Sequence, residues 1–236
     1  MELPVFIING FLESGKTAFI KDTLKGEDFN DGTRSLIIAC EDGEEEYSEI
    51  EMQKVNAKVV FVEDMDEFTK DFFIAKCNES KAERVFVEFN GMWNLGDFID
   101  KLPSFMPVAQ IITLVNAETY DMYLANMKQL MMEQYKLSEM VIINRCTKDS
   151  DRAAYRRSVK AVNGRAQVYF ESSDGSSNET EEILPIKATD SEASDIREYP
   201  LDDKERIASA SDPTLFSAKK TEQKVNLPDG IYRSRR

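Results

Sequence analysis

The 236-residue sequence contains no histidine. Imidazole catalysis and histidine metal ligation are therefore excluded within this chain. Cysteine is scarce. Cys40, Cys77 and Cys146 are odd in number and far apart, which excludes a disulfide framework and fits a reduced, cytoplasmic protein. No apolar run approaches the roughly 20 residues that span a bilayer. Glu2 stands where a signal peptide would carry a basic region, so none is expected. Basic residues are outnumbered, 30 Lys and Arg against 44 Asp and Glu, for a formal net charge of −14. Such a surface repels phosphate backbones and anionic lipid, so neither nucleic acid nor a membrane surface is an expected partner.

What is present is enough for one α/β domain of ordinary size. Hydrophobic residues make up 42% of the chain, sufficient to bury a core. Short runs rich in β-branched residues recur: residues 4–9 (PVFIIN), 35–40 (SLIIAC), 57–63 (AKVVFVE), 84–88 (RVFVE), 109–115 (AQIITLV), 139–144 (EMVIIN) and 166–170 (AQVYF). Helical patterns lie between them, over 67–78, in one long stretch over 120–137, and over 151–162. Apolar strands alternating with helices predict a central sheet, mostly parallel, covered on both faces. From residue 171 onward Ser, Asp, Glu and Lys dominate. That predicts a domain over 1–170 and a polar C-terminal tail over 171–236, partly disordered, with room for a small addition to the sheet near 183–186.

Residues 10–17 read GFLESGKT, the spacing G-x-x-x-x-G-K-[ST], between the first predicted strand and an amphipathic stretch. This strand–loop–helix order is the context of a phosphate-binding P-loop. A loop that wraps a phosphate turns its backbone N–H groups inward, and Gly10 and Gly15 permit the angles required. The following helix aims its positive end at the phosphates. Lys16 has the reach for β- and γ-phosphate oxygens, and the Thr17 hydroxyl is a Mg²⁺ ligand by type. Glu13, Ser14 and Ala18 complete the expected nucleotide-binding run. The fold class is then a three-layer P-loop NTPase.

Two further loops fall at predicted strand ends, where ligands bind in parallel sheets. Glu88 closes the fourth strand and begins E-x-x-G with Gly91. A carboxylate there suits Mg²⁺, and the Gly91 N–H suits the γ-phosphate, moving when that group leaves. Asn144 ends the sixth strand and is followed by Arg145, Cys146 and Thr147, where N-K-x-D would read guanine. Arg145 has a stem to stack on a base, but Thr147 lacks the two-point acceptor. Asp149 takes that role only if the loop is longer. In the acidic turn 41–46, Glu41 is the candidate for a metal, because it follows the second strand directly. The rest reads as a solvated loop. Cys40 and Cys146 near strand ends read as buried structural thiols, and Trp93 sits where a switch segment would lie.

Together GFLESGKT, the acidic turn EDG, EFNG and IINR resemble the CobW/HypB/UreG family of P-loop GTPases, over roughly residues 3–170. Glu rather than Asp in E-x-x-G narrows the resemblance, and EFNGMW is most similar to a CobW-like subgroup. It implies GTP hydrolysis with Mg²⁺, with Lys16, Glu88 and Gly91 in the reaction and Thr17, Glu88 and Glu41 toward metal. It also implies nucleotide-dependent homodimerisation and delivery of a metal ion or cofactor to a metalloprotein client. The C-x-C-C metal motif of many CobW-like proteins is absent, so the GTPase implication transfers better than the metallochaperone one. Two functions follow: a Mg²⁺-dependent nucleoside triphosphatase acting on GTP, or a regulatory nucleotide-binding protein with negligible hydrolysis.

Overall fold

A computed structural model of the chain describes residues 2–173 apart from 27, 28, 42 and 44. The expectations for the polar tail beyond residue 173 and for two acids of the 41–46 turn lie outside the described residues. Seven strands form one sheet: β1 Val5–Asn9, β2 Ser35–Ala39, β3 Ala57–Phe61, β4 Arg84–Glu88, β5 Val108–Asn116, β6 Met140–Cys146 and β7 Gln167–Ser172. Their order is β3-β2-β4-β1-β5-β6-β7, and every pairing is parallel. Each strand therefore returns through a crossover, and the connections cover both faces.

The alternation of side chains along each strand feeds these two faces. Val5 and Ile7 of β1 pack with Leu36, Ile38, Val85 and Val87 against Phe68, Phe73 and Phe98. Ile8 of the same strand joins Ile37, Phe86 and Ile112 on the other face, under Phe19, Ile20 and Leu24 of α1 Lys16–Lys25. Fully burying each such side chain contributes about 1.5–3 kcal/mol, so α1 is held mainly by that stripe. A third cluster, around Tyr135, Tyr155 and Val159, closes the β6–β7 end.

Two helices lie where the sequence pattern assigns no element: α2 Glu49–Lys54 and α4 Leu95–Lys101. Both are too short to show a period. α4 is marked instead by its cap, the Asn94 side chain accepting from Asp97 N at 3.2 Å. α3 spans Lys70–Ser80 and α7 spans Arg152–Val162. The long helix expected over 120–137 is two, α5 Tyr120–Asn126 and α6 Lys128–Lys136, broken at Met127 with φ −135° and ψ 32°. The Asn126 amide donates to Met122 O at 2.8 Å, so a side chain competes for a carbonyl of the helix ladder just where it ends.

Register brings the chemistry to one edge. Ile8 and Ala39 both pair with Glu88, Asn9 pairs with Thr113, and Asn116 pairs with Asn144. The P-loop, the Glu88 loop and the Asn144 loop all leave the carboxyl ends of these strands. Cys40 and Cys146 are both buried and free, but three strands separate β2 from β6. At about 4.8 Å per strand the two thiols cannot approach each other.

Candidate nucleotide-binding site

The chain leaves β1 through Asn9, whose Oδ1 accepts from Gly10 N at 2.8 Å. Gly10 has φ 140°, and a Cβ there would lie 2.4 Å from Leu114 O and 2.6 Å from Ser14 Oγ. Only glycine fits, by torsion and by space. Gly15 follows at φ 91° and opens α1. The loop between is tight: Ser14 N donates to Phe11 O at 3.2 Å, and Glu13 is left-handed at φ 59°. Ser14 Oγ is buried in this cradle with no partner. Ala18 lies one residue after Thr17 on the first turn of α1.

Lys16 is 3% exposed and fully engaged. Its Nζ donates to Gly10 O and Phe11 O, both at 2.8 Å, and pairs with Glu41 Oε2 at 2.5 Å. The other oxygen of Glu41 accepts from Gly91 N at 3.2 Å. Gly91 O accepts from the buried Gln134 amide at 2.9 Å. Glu88, 4% exposed, accepts from Thr17 Oγ1 at 2.7 Å and from the Tyr47 hydroxyl at 2.5 Å. Burial pushes the Glu88 carboxyl above its ordinary pKa, while the hydrogen bonds from Tyr47 and Thr17 and the Lys16 charge pull it the other way. Burial and the neighbouring Glu88 raise the Tyr47 hydroxyl.

The Thr17 hydroxyl and Glu88 carboxylate are adjacent hard oxygen donors at the mouth of the P-loop. That donor set fits Mg²⁺, which takes one or two protein oxygens and completes its shell with phosphate and water. Among the described residues no group of three or more Cys, Asp or Glu could hold a metal by itself. Glu41 faces Lys16 and Gly91.

The third loop ties back to the first. Asn144 Nδ2 donates to Ser14 O at 2.7 Å, and its buried Oδ1 has no partner. Arg145, left-handed at φ 52°, donates to Glu13 O at 3.2 Å. Beside them a cavity of about 270 Å³ is lined by Gly15, Ala18, Asp22, Asn144, Arg145 and Glu171 among others. Thr147 and Asp149 do not line it: Thr147 Oγ1 accepts from Asp149 N at 3.3 Å in an exposed turn. The carboxylates on the cavity are Asp22 and Glu171, and burial raises the Glu171 carboxyl, with Asp22 adding to and Arg145 opposing the shift.

Sequence reasoning missed Tyr47, Gln134 and Glu171. Gln134 left a trace, as a polar residue on the buried side of α6 beside Met131 and Tyr135. Tyr47 and Glu171 left none, since each is brought in by a loop or strand end from elsewhere in the chain.

The model of the CobW/HypB/UreG nucleotide-binding domain matches residues 4–170. The chain belongs to this family. No curated protein sequence matches it. Among solved structures it is similar to Zn(II)-bound YjiA GTPase from E. coli, at 16% identity and TM-score 0.55, over 72% of this chain and 57% of that one. It thus spans little more than half of YjiA. Hydrogenase maturation factor HypB from Archaeoglobus fulgidus matches at 14% identity and TM-score 0.49, over 72% and 81%. The CobW/HypB/UreG domain accounts for the P-loop and for the loops that meet it on one sheet edge.

Proposed function

We propose that this chain is a Mg²⁺-dependent nucleoside triphosphatase that acts on GTP, with its nucleotide-binding domain in residues 1–170 and a polar tail after it. The observation that carries the reading is the meeting of Thr17 and Glu88 at 2.7 Å, 71 positions apart in sequence, beside a P-loop closed around Lys16. In this reading Gly10, Glu13, Ser14, Gly15, Lys16, Thr17 and Ala18 wrap the phosphates. Lys16 keeps its bond to Gly10 O and turns its charge to the β- and γ-phosphates. Thr17 and Glu88 hold Mg²⁺, which when bound neutralises charge on the phosphate oxygens. Gly91 presents its N–H to the γ-phosphate. Water attacks in line, the bond from phosphorus to the β–γ bridging oxygen breaks, and the chain's contribution is positioning and electrostatics. The base lies in the cavity beside Asn144 and Arg145.

Family membership and the fold shared with YjiA, a GTPase, support GTP as the nucleotide. Delivery of a metal to a client protein and nucleotide-dependent dimerisation are the extensions that the family relation suggests. No C-x-C-C motif is present in this sequence, so the proposal is carried by nucleotide hydrolysis. Phosphate release from GTP by the full chain, with Lys16→Ala as control, tests it. Turnover should fall at least tenfold in the variant, about 1.4 kcal/mol in barrier. GTP binding without any phosphate release would make the chain a regulatory binder, and wild-type turnover in Lys16→Ala would sink the P-loop assignment.

A further inference from the structure

The Glu41 carboxylate bridges two groups that the proposed reaction assigns to the γ-phosphate. One oxygen is 2.5 Å from Lys16 Nζ, and the other accepts from Gly91 N at 3.2 Å. Both side chains are withdrawn from water, Lys16 at 2% and Glu41 at 8% exposure. The count of donors makes the contact exclusive. An ammonium has three N–H donors, and Lys16 uses them on Gly10 O, Phe11 O and Glu41. A phosphate oxygen can accept a hydrogen bond from Lys16 only by displacing one of these partners. The two carbonyls belong to the P-loop itself, so the displaceable partner is Glu41. Like charges at this range repel, and a carboxylate and a γ-phosphate cannot share the place.

The segment that carries Glu41 is fastened at two more points. Glu45 accepts from Lys21 Nζ at 3.0 Å, and Tyr47 donates to Glu88. Of these four contacts, two are to α1, through Lys16 and Lys21, one is to Glu88 and one is to Gly91.

We propose that Glu41 is an internal surrogate for the γ-phosphate, and that its displacement sets how strongly the site prefers a triphosphate to a diphosphate. The proposal rests on the nucleotide reading above. A diphosphate leaves the place between Lys16 and Gly91 to Glu41, whereas a triphosphate must expel it and thereby free the Gly91 loop.

Calorimetric affinities of the full chain for GDP and for a non-hydrolysable GTP analogue, each with Mg²⁺, test this. Glu41→Gln keeps the shape and removes the charge. The analogue should bind at least tenfold tighter, about 1.4 kcal/mol, with GDP moving less than threefold. Glu41→Ala should shift the ratio in the same direction. Glu45→Gln, which loosens only the Lys21 contact, should leave the ratio within threefold. Trp93, the single tryptophan, packs on Phe89 two residues beyond Gly91. Its emission in nucleotide-free Glu41→Gln should move toward that of the wild type with analogue. An unchanged ratio in both Glu41 variants overturns the proposal while leaving nucleotide binding intact. A fall in the ratio also overturns it, because Glu41 would then act on the bound triphosphate. Wild-type protein that binds neither nucleotide removes the underlying reading, and this one with it.

Discussion

Gly91 offers a direct test of how the site closes, because its role is set by space and not by torsion. Its φ is outside the left-handed region, so alanine meets no backbone penalty there. An added Cβ would nevertheless lie 2.3 Å from Gly10 O and 2.7 Å from both Gly10 C and Gln134 Nε2. Ordinary contact begins near 3.4 Å, so the two loops must separate by about 1 Å. The Gln134 side chain can swing away, but the Gly10 carbonyl is P-loop backbone and is also a partner of Lys16. Overpacking of this kind costs about 1–3 kcal/mol, and the strained hydrogen bond from Gln134 to Gly91 O adds about 0.5–1.5 kcal/mol. Gly91→Ala should therefore lose about 1.5–4.5 kcal/mol of stability in urea unfolding, taken as the sum of those two effects. Phosphate release should fall at least tenfold, because Lys16 and the Gly91 N–H no longer close on one point. Adding Gln134→Ala should recover little, since the clash with Gly10 O stays. If Gly91→Ala unfolds within 0.5 kcal/mol of wild type and turns over normally, the surface-substitution scale applies and the close-approach reasoning is wrong.

Two other substitutions probe the remaining loops. Thr147 lies off the cavity beside Arg145, so Thr147→Asp should leave the preference for GTP over ATP within threefold in competition binding; a gain of tenfold or more would mean the base is read by the loop after β6. Glu88→Gln should keep nucleotide binding and lose Mg²⁺-dependent turnover. It also carries a pH signature in nucleotide-free protein. Burial raises the Glu88 carboxyl, so the folded state holds a proton over pH values where the unfolded chain has released it, and stability declines as pH rises through the shifted pKa. The glutamine variant should flatten that decline in urea midpoints measured from pH 4.5 upward, and a slope identical to wild type would mean Glu88 titrates normally.

All seven strands were readable from their apolar runs: β2 and β4, buried on both faces, show themselves by composition alone, and the half-buried edge strands β3 and β7 by their β-branched and aromatic residues. The P-loop was readable because its chemistry is local: two glycines, a lysine and a threonine within eight positions. Glu88, Gly91 and Asn144 were readable as strand-end residues. The helix break at Met127 was hidden, since it turns on a side chain of Asn126 taking a backbone carbonyl. The short α2 and α4 were hidden for want of a full period.

The sequence by itself therefore determined the α/β class, the parallel sheet and the identity of the loops that carry charge, because these follow from periodicity and from contiguous residues. The tertiary structure alone decided what those loops do to one another. It set Glu41 on Lys16 and Gly91, Tyr47 on Glu88, and Gln134 on Gly91, and it put Glu171, not Asp149, on the cavity beside Arg145. The physical reason is the strand order. Placing β1 between β4 and β5 brings together residues dozens of positions apart, and a contact set by that register leaves no pattern along the chain.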